Sequence, residues 1–151
     1  MPQSLAAIYL HLVFSTKHRK PFLQDPDLRD AVHGYLGGAT KQLGCPPIRI
    51  GGTEDHVHVL ARFGRTITPA DWIKELKRVS TIWIHDRYPS QQDFYWQSGY
   101  GIFSVSQSNL PEVTSYVEKQ EEHHRHMTFK DEFRALCARH GIEIDERYVW
   151  E

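Results

Sequence analysis

The sequence predicts an α+β domain in which four strands form one antiparallel sheet and two crossover helices cover one of its faces. Three observations support this class. Short stretches with alternating apolar residues predict strands, and longer stretches with apolar residues three and four positions apart predict helices. The two kinds follow one another as strand, helix, hairpin, helix, strand. Two further helical stretches come after the last strand, so we expect a C-terminal helical extension.

Length and composition limit the class of protein. The 151 residues suit one domain, spanning residues 1–151, and 40% hydrophobic and 25% charged residues are typical of a soluble globular protein. Because the formal net charge is -1, a nucleic-acid site would need local basic clusters. The two cysteines, Cys45 and Cys137, are far apart, and no apolar run approaches membrane length. We therefore expect a cytoplasmic protein without a membrane anchor.

The first strand and the first helix have clear boundaries. Residues 8–14 alternate between apolar and mixed positions, which predicts a strand with His11 on the face opposite its main apolar side. Residues 17–20 form a short basic cluster after this strand, suited either to a phosphate backbone or to a solvated loop. A helix should follow from Asp25, a capping residue, to a stop at Gly44.

A hairpin carries the most informative pair of residues. Residues 48–50 predict a short strand, and Gly51-Gly52 turns the chain into a second strand over 54–63. Because strand side chains alternate, His56 and His58 share one face while the valines between and after them share the other. Two neighbouring imidazoles can bind one divalent metal ion. On this pattern alone, an ordinary polar strand face explains the pair equally well.

A second helix and a last strand follow the hairpin. Thr68 and Pro69 predict a helix start, and the helix should continue to about Arg87 with an apolar stripe on one side. Basic residues occupy other parts of its surface. The segment 94–106 is rich in aromatic and β-forming residues, so it predicts a further strand over 102–105. Its aromatic residues are expected to lie in the hydrophobic core. Stacking of one or two of them on nucleic-acid bases is the less favoured alternative.

Two helices complete the chain. The first should begin at Asn109, and it places Tyr116, Gln120 and His124 one turn apart on a shared face. A helix of this kind ordinarily serves packing, but here a phenol and a carboxamide accompany a paired-histidine strand. The final helix should run over 128–140, and the apolar tail after it should dock on this chain or on a partner.

This order of elements, βαββαβ with a helical extension, is the ferredoxin-like pattern. It places the first and third strands side by side at the centre of the sheet, with both crossover helices on one face. We expect His56 and His58 to point to the opposite, open face, where the Tyr116 helix can pack across them.

Several segments in this order resemble the single-tyrosine HUH transposases, the insertion-sequence enzymes of the "IS two-hundred-like" family. The matching segments are residues 12–17, the triplet 56–58, residues 96–106, Tyr116 to His124, and the stretches 129–132 and 140–142. The triplet is weak by itself, but the ordered combination is specific and covers nearly the whole chain.

The resemblance implies a function and a set of site residues. It implies a transposase that cuts and rejoins single-stranded DNA at insertion-sequence ends through a 5′-phosphotyrosine intermediate. Tyr116 would be the nucleophile, and His56, His58 and Gln120 would bind a divalent ion, Mg²⁺ or Mn²⁺. The expected partners are single-stranded DNA with end hairpins and a second copy in a homodimer. The candidates for DNA-backbone contact are Lys17, Arg19, Lys20, Lys74, Lys77 and Arg78.

Three other functions agree with parts of the sequence. A ferredoxin-like sheet is also a nucleic-acid-binding scaffold, although that function leaves the histidine pair unexplained. A metal-dependent phosphoesterase acting through activated water would leave Tyr116 purely structural. A domesticated nuclease that processes chromosomal repeats would keep the chemistry without transposition. On residue type alone, Tyr9, Tyr95 and Tyr100 are alternative nucleophiles, and whether Tyr116 serves its own chain or a partner stays open.

Overall fold

The computed structural model describes residues 2–151 and has the predicted order of elements. The strands are β1 (Tyr9–Ser15), β2 (Pro47–Gly52), β3 (His56–Arg62) and β4 (Gly101–Val105). The helices are α1 (Pro26–Gln42), α2 (Pro69–Arg87), α3 (Leu110–Glu118), α4 (Gln120–His123) and α5 (Phe129–Arg139). Short 3-10 turns occupy Lys17–Arg19, Pro89–Gln91 and Gln107–Asn109. Within residues 2–151, no helix is both long enough and apolar enough to cross a membrane.

The four strands form one sheet in the order β2-β3-β1-β4, and every neighbouring pair is antiparallel. The first and third strands lie side by side at the centre, with Val13 opposite His58 and Ser15 opposite His56. This topology confirms the predicted ferredoxin-like fold. Because β1 and β3 are central, the histidine pair sits in the middle of the sheet and not at an edge.

One face of the sheet packs on α1 and α2 and forms the main core. The apolar sides of both central strands contribute to it, including Leu12 and Phe14 from β1 and Val57 from β3. The two helices are also joined by a hydrogen bond from Nε1 of Trp72 to Oγ1 of Thr40, at 2.8 Å. The predicted assignment of the apolar strand faces to this side is confirmed.

The opposite face was predicted to be open except where the Tyr116 helix packs across it, and this prediction is wrong in one respect, because α5 also covers this face. Val13 and Phe103 on that face form a second core with Phe129, Phe133 and other apolar residues of α5. The tail closes this core on its own chain, since Nη1 of Arg19 donates to the carbonyl oxygen of Trp150 at 2.8 Å. Aromatic side chains on α5 need an apolar surface, and this face of the sheet supplies one.

The helix starts are mostly as predicted. The side chains of Asp25, Thr68 and Thr128 accept hydrogen bonds from backbone N–H groups in the first turns of α1, α2 and α5. Asn109 occupies the N-cap position of α3 as predicted, but its side chain makes no capping hydrogen bond. The 3-10 turn Gln107–Asn109 leads directly into α3 instead.

Candidate active site

The histidine pair lies at the end of β3 that meets the C-terminal helices, and both side chains are fully buried. Nδ1 of His56 lies 2.8 Å from Oδ1 of Asp55 and 3.1 Å from Oγ1 of Thr53. A ring nitrogen held by a carboxylate carries a proton, so Nε2 is the nitrogen that remains to face the site. His56 is therefore oriented as a metal ligand needs to be.

His58 is oriented by a residue on the neighbouring strand. Its Nδ1 lies 2.7 Å from Nε2 of His11, and the two rings stack with their centroids 5.0 Å apart. The sequence suggested that His11 would lie beside the pair if the two strands were neighbours, and they are. This contact turns Nε2 of His58 toward the same interior point as Nε2 of His56.

The tyrosine and the carboxamide are borne on two helices, where the sequence predicted one. The backbone leaves helical geometry at Lys119, with φ -99° and ψ 28°, and α4 begins at Gln120. The side chain of Gln120 nevertheless turns back, because its Nε2 donates to the carbonyl oxygen of Tyr116 at 3.2 Å. Its Oε1 lies 3.0 Å from Nε2 of His56. One chain therefore brings His56, His58, Tyr116 and Gln120 together.

A glycine on β2 allows α3 to approach the sheet. A Cβ atom at Gly51 would lie 2.0 Å from the carbonyl oxygen of Val117, which is far inside van der Waals contact. Any larger residue would push α3 away from the sheet. This close approach sets the ring of Tyr116 at 5.7 Å from the ring of His58, measured between centroids.

Glu132 on α5 is a site residue that was not among the predicted ones. Only 1% of the residue is exposed, and its Oε1 lies 3.0 Å from Nε2 of His58 and 3.4 Å from Nε2 of His56. Its other oxygen, Oε2, accepts a hydrogen bond from the hydroxyl of Tyr116. A single carboxylate thus connects the histidine pair to the tyrosine.

A signal for Glu132 is present in the sequence. Phe129, Phe133 and Leu136 form the apolar stripe of α5, and Glu132 lies within that stripe, three residues after the first and four before the last. A charged residue at a position that faces a core is unfavourable unless it is paired or coordinates a metal. Its position on the buried stripe therefore marks it as a functional candidate.

His124 completes a cluster around the carboxylate. Its Nδ1 lies 2.6 Å from the carbonyl oxygen of Met127, and its Nε2 lies 3.1 Å from Oε1 of Glu132. That Nε2 atom is buried and makes no well-directed hydrogen bond. The ligand atoms of His56, His58, His124 and Glu132 all lie within 4.8 Å of one another, so the four residues could hold a metal ion.

Burial and the shared carboxylate govern the charges in this cluster. Burial lowers the pKa of His58 to about 4 despite the nearby Glu132. Burial opposes ionisation of His56 as well, but hydrogen bonds to Asp55 and Glu132 outweigh it and raise the pKa to about 9. Burial and the adjacent Glu132 together raise the pKa of Tyr116 well above its ordinary value. Burial opposes ionisation of Glu132, but its contacts with His124, His56 and His58 outweigh burial and hold the pKa of Glu132 below its usual range.

The basic residues predicted to contact DNA fall into two groups. Lys17, Lys20 and Lys74 are exposed, and Arg78 is exposed in an ion pair at 2.8 Å with Glu75. These side chains can reach an external phosphate.

Arg19 and Lys77 are held by the protein itself. Arg19 donates to the tail through Trp150, as described for the fold. Nζ of Lys77 donates to the carbonyl oxygens of Gln97 and Gly99 at 2.8 and 2.7 Å, and burial lowers its pKa to about 8. Their contacts indicate that both residues fasten the aromatic segment and the tail.

The fold and the site agree with one class of protein, the enzymes that cleave DNA and transfer its strands by transposition. The chain belongs to the family described as "Transposase IS200 like", which matches residues 4–120. This match confirms the predicted family and the predicted transposase function.

Two solved structures are similar to this chain. A candidate transposase from Deinococcus radiodurans aligns with a TM-score of 0.65 and 22% identity, over 80% of this chain and 95% of that one. A REP-associated tyrosine transposase bound to a REP hairpin aligns with a TM-score of 0.56 and 8% identity, over 79% of this chain and 69% of that one. At these identities the likeness shows the shared fold. Comparison with curated proteins found no match.

Proposed function

We propose that this transposase cuts and rejoins single-stranded DNA with Tyr116 as the nucleophile and a divalent ion held by His56, His58 and Gln120. The observation that carries the proposal is the contact network between the tyrosine and the histidine pair. One carboxylate oxygen of Glu132 accepts a hydrogen bond from the hydroxyl of Tyr116, and the other lies 3.0 Å from Nε2 of His58. This contact supports an active site in which the tyrosine and the predicted ligands come from the same chain.

The chemistry of the predicted ligands fits a divalent ion. Nε2 of His56 and Oε1 of Gln120 lie 3.0 Å apart. This is about the spacing of adjacent ligands around an octahedral ion with bonds of roughly 2.1 Å. Amide oxygens favour Mg²⁺ and Mn²⁺, while imidazoles also accept zinc or nickel. When bound, such an ion polarises the scissile phosphate and stabilises the charge that develops there.

The proposed cleavage step is a transesterification at one phosphodiester of the DNA. The phenolic oxygen of Tyr116 attacks the phosphorus, a P–O bond forms, and the bond from phosphorus to the 3′ oxygen breaks. Oε2 of Glu132 accepts the hydrogen bond of the hydroxyl and orients it, and the phenolic proton passes to water as the new bond forms. The 3′ oxygen leaves as a hydroxyl after taking a proton from water. Because the phosphodiester energy is kept in the 5′-phosphotyrosine, a 3′-hydroxyl can reverse the step without a nucleotide cofactor.

We propose single-stranded DNA with end hairpins as the substrate, and the hairpin bound by one structural relative supports this. The exposed residues Lys17, Lys20, Lys74 and Arg78 are the proposed contacts to its backbone.

We also propose a homodimer formed through a sheet edge. The edge strands are β2 and β4, and β2 exposes Ile48 and Arg49. Sedimentation equilibrium of the full chain tests the dimer.

A covalent trapping assay tests the mechanism. The purified chain is mixed with labelled single-stranded DNA that carries the sequences flanking its own gene, with Mn²⁺ or Mg²⁺. We expect a protein–DNA adduct on a denaturing gel. Tyr116→Phe should abolish it, with at least about a 10³-fold loss typical of removing a nucleophile. His56→Ala should also abolish it.

The matched controls are Tyr95→Phe and Tyr100→Phe, which remove exposed phenols and should leave the adduct unchanged. Cleavage that survives Tyr116→Phe without any adduct would contradict the tyrosine mechanism and favour a water-activating phosphoesterase. DNA binding without cleavage by any variant or by the wild type would favour a binding module.

A further inference from the structure

Side-chain ligand atoms converge beneath α5. Nδ1 of His124 donates to the carbonyl oxygen of Met127, and its other ring nitrogen, Nε2, faces Oε1 of Glu132 at 3.1 Å. Nδ1 of His56 is bonded to Asp55 in the same way, and its Nε2 faces Oε1 of Gln120 at 3.0 Å. Each imidazole is therefore held through one nitrogen and presents the other to the same interior point.

A divalent ion with several ligand positions can replace the protons among these groups and bind the groups together, because each nitrogen or oxygen then directs a lone pair at the metal. Oε1 of Glu132 is within 3.4 Å of Nε2 on His56, His58 and His124. The carboxylate oxygen thus lies at the ligand spacing of about 3 Å expected around an ion with bonds of roughly 2.1 Å.

Glu132 is held in place by its helix. The Thr128 side chain accepts a hydrogen bond from the backbone N–H of Asp131, and Phe129 and Phe133 on either side of Glu132 are buried in the second core. The carboxylate therefore cannot swing out to solvent without undocking α5. A carboxylate fixed among buried aromatic rings is expected where it is paired or binds a metal.

We propose that Glu132 is a ligand of the divalent ion, so that α5 completes a centre whose other ligands come from β3 and α4. This inference rests on the proposed function and adds to it a charged ligand that neutral imidazoles and an amide do not supply. The carboxylate also positions the nucleophile, since Oε2 accepts a hydrogen bond from the hydroxyl of Tyr116. The competing explanation is a buried ion pair that only fastens α5 to the sheet.

The test is calorimetric titration of the full metal-free chain with Mn²⁺, without DNA. Glu132→Gln keeps the shape of the side chain and removes its charge. We expect this variant to bind Mn²⁺ at least ten- to a hundredfold more weakly than the wild type, since even residues that only contact the ligands of a metal site have effects of this size. Glu132→Asp keeps the charge on a shorter side chain and should bind with intermediate affinity. Glu143→Gln is the matched control, because Glu143 is exposed and the substitution changes the net charge equally.

The outcomes separate this inference from the function on which it rests. If His56→Ala loses Mn²⁺ while a folded Glu132→Gln binds it within twofold of the wild type, the ligand role of Glu132 is overturned and the ion pair remains. If the wild type itself binds no Mn²⁺, both the metal-assisted function and this inference are wrong. Should Glu132→Gln fail to fold, Glu132→Asp decides, and an affinity equal to that of the wild type overturns the inference.

Discussion

Nε2 of His11 on β1 and Nδ1 of His58 on β3 lie 2.7 Å apart, across the central strand pair of the sheet. If His58 binds a metal through Nε2, its Nδ1 carries the proton and donates it to the lone pair of His11. Both residues are buried, and burial followed by the neighbouring His58 lowers the pKa of His11 well below its ordinary value. His11 is therefore neutral and able to accept.

We expect His11→Phe to weaken Mn²⁺ binding about ten- to a hundredfold, because a residue that orients a ligand contributes this much to affinity. His11→Gln, which keeps a hydrogen-bonding group, should recover part of the loss. Titration calorimetry measures both. The exposed His126 provides the control, and His126→Ala should bind as the wild type does. Equal affinities for His11→Phe and wild type would show that His11 serves only packing.

Part of this site could be predicted from sequence because β3 has a strict alternation. Val57 and Val59 require one face to be buried, so His56 and His58 must share the other. The strand order followed from the element order, and it brought His11 beside the pair. Local rules of this kind depend on near neighbours along the chain, which the sequence displays directly.

Other parts depend on contacts between distant segments. The apolar stripe of α5 predicts that the helix packs, but it does not specify the surface on which it packs. The stripe therefore indicates that Glu132 is buried without indicating which residues surround it, and the sequence does not predict that α5 covers this face of the sheet. The break at Lys119 has no proline or glycine to announce it, so Tyr116 and Gln120 were expected on one continuous helix.

Acid should destabilise the protein partly through His33 on α1. Burial, followed by the charge of nearby Arg29, lowers the pKa of His33 from 6.5 to about 4 in the folded chain. The unfolded chain then binds more protons between those values, so the contribution of this residue is complete above pH 6.5 and is lost as the pH falls toward 4. At 1.36 kcal/mol per pKa unit, the loss is at most about 3 kcal/mol.

Urea unfolding at about pH 7 and about pH 4.5 measures this effect, because between these values the unfolded chain takes up the proton and the folded chain largely does not. His33→Gln cannot take up the proton, so its unfolding free energy should fall less over this interval than that of the wild type. An equal fall in both proteins would show that His33 does not contribute to acid sensitivity.

Gly51→Ala should destabilise the protein, because the new methyl group would lie 2.0 Å from the carbonyl oxygen of Val117. Overpacking of this kind costs about 1–3 kcal/mol. Displacement of α3 should also reduce adduct formation by Tyr116. Thermal unfolding and the trapping assay measure the two effects.

The control for this substitution is Gly38→Ala. Gly38 lies within α1, and a methyl group added there would have open space around it. Alanine should therefore raise the unfolding free energy by about 0.5–1 kcal/mol, because glycine loses more backbone freedom in a helix. If both substitutions change stability by the same amount and sign, the close approach of α3 to β2 is not what requires glycine at position 51.

Phe133→Ala should loosen α5 and with it the carboxylate of Glu132. Phe133 is 5% exposed within the second core, and truncating a buried phenylalanine costs about 3–5 kcal/mol. Mn²⁺ affinity should fall together with stability if α5 carries a ligand.

Tyr148→Ala, which removes an aromatic side chain that is 60% exposed, should change stability by less than about 0.5 kcal/mol. Chemical denaturation and Mn²⁺ titration of the two variants check both expectations, and a destabilised Phe133→Ala with undiminished affinity would contradict the second.

The buried carboxylate of Glu132 also couples the two substances that the site is proposed to bind. In the absence of a cation, an incoming phosphate and this carboxylate are like charges in an interior of low dielectric constant, and they repel. A divalent ion reverses the sign of the local field. If the site binds both, the ion and the DNA should bind with positive cooperativity, each tightening the other by the same factor because their coupling free energy is shared. When divalent ions are scarce, repulsion between the Glu132 carboxylate and the DNA phosphate would by itself keep the DNA from binding at the proposed site.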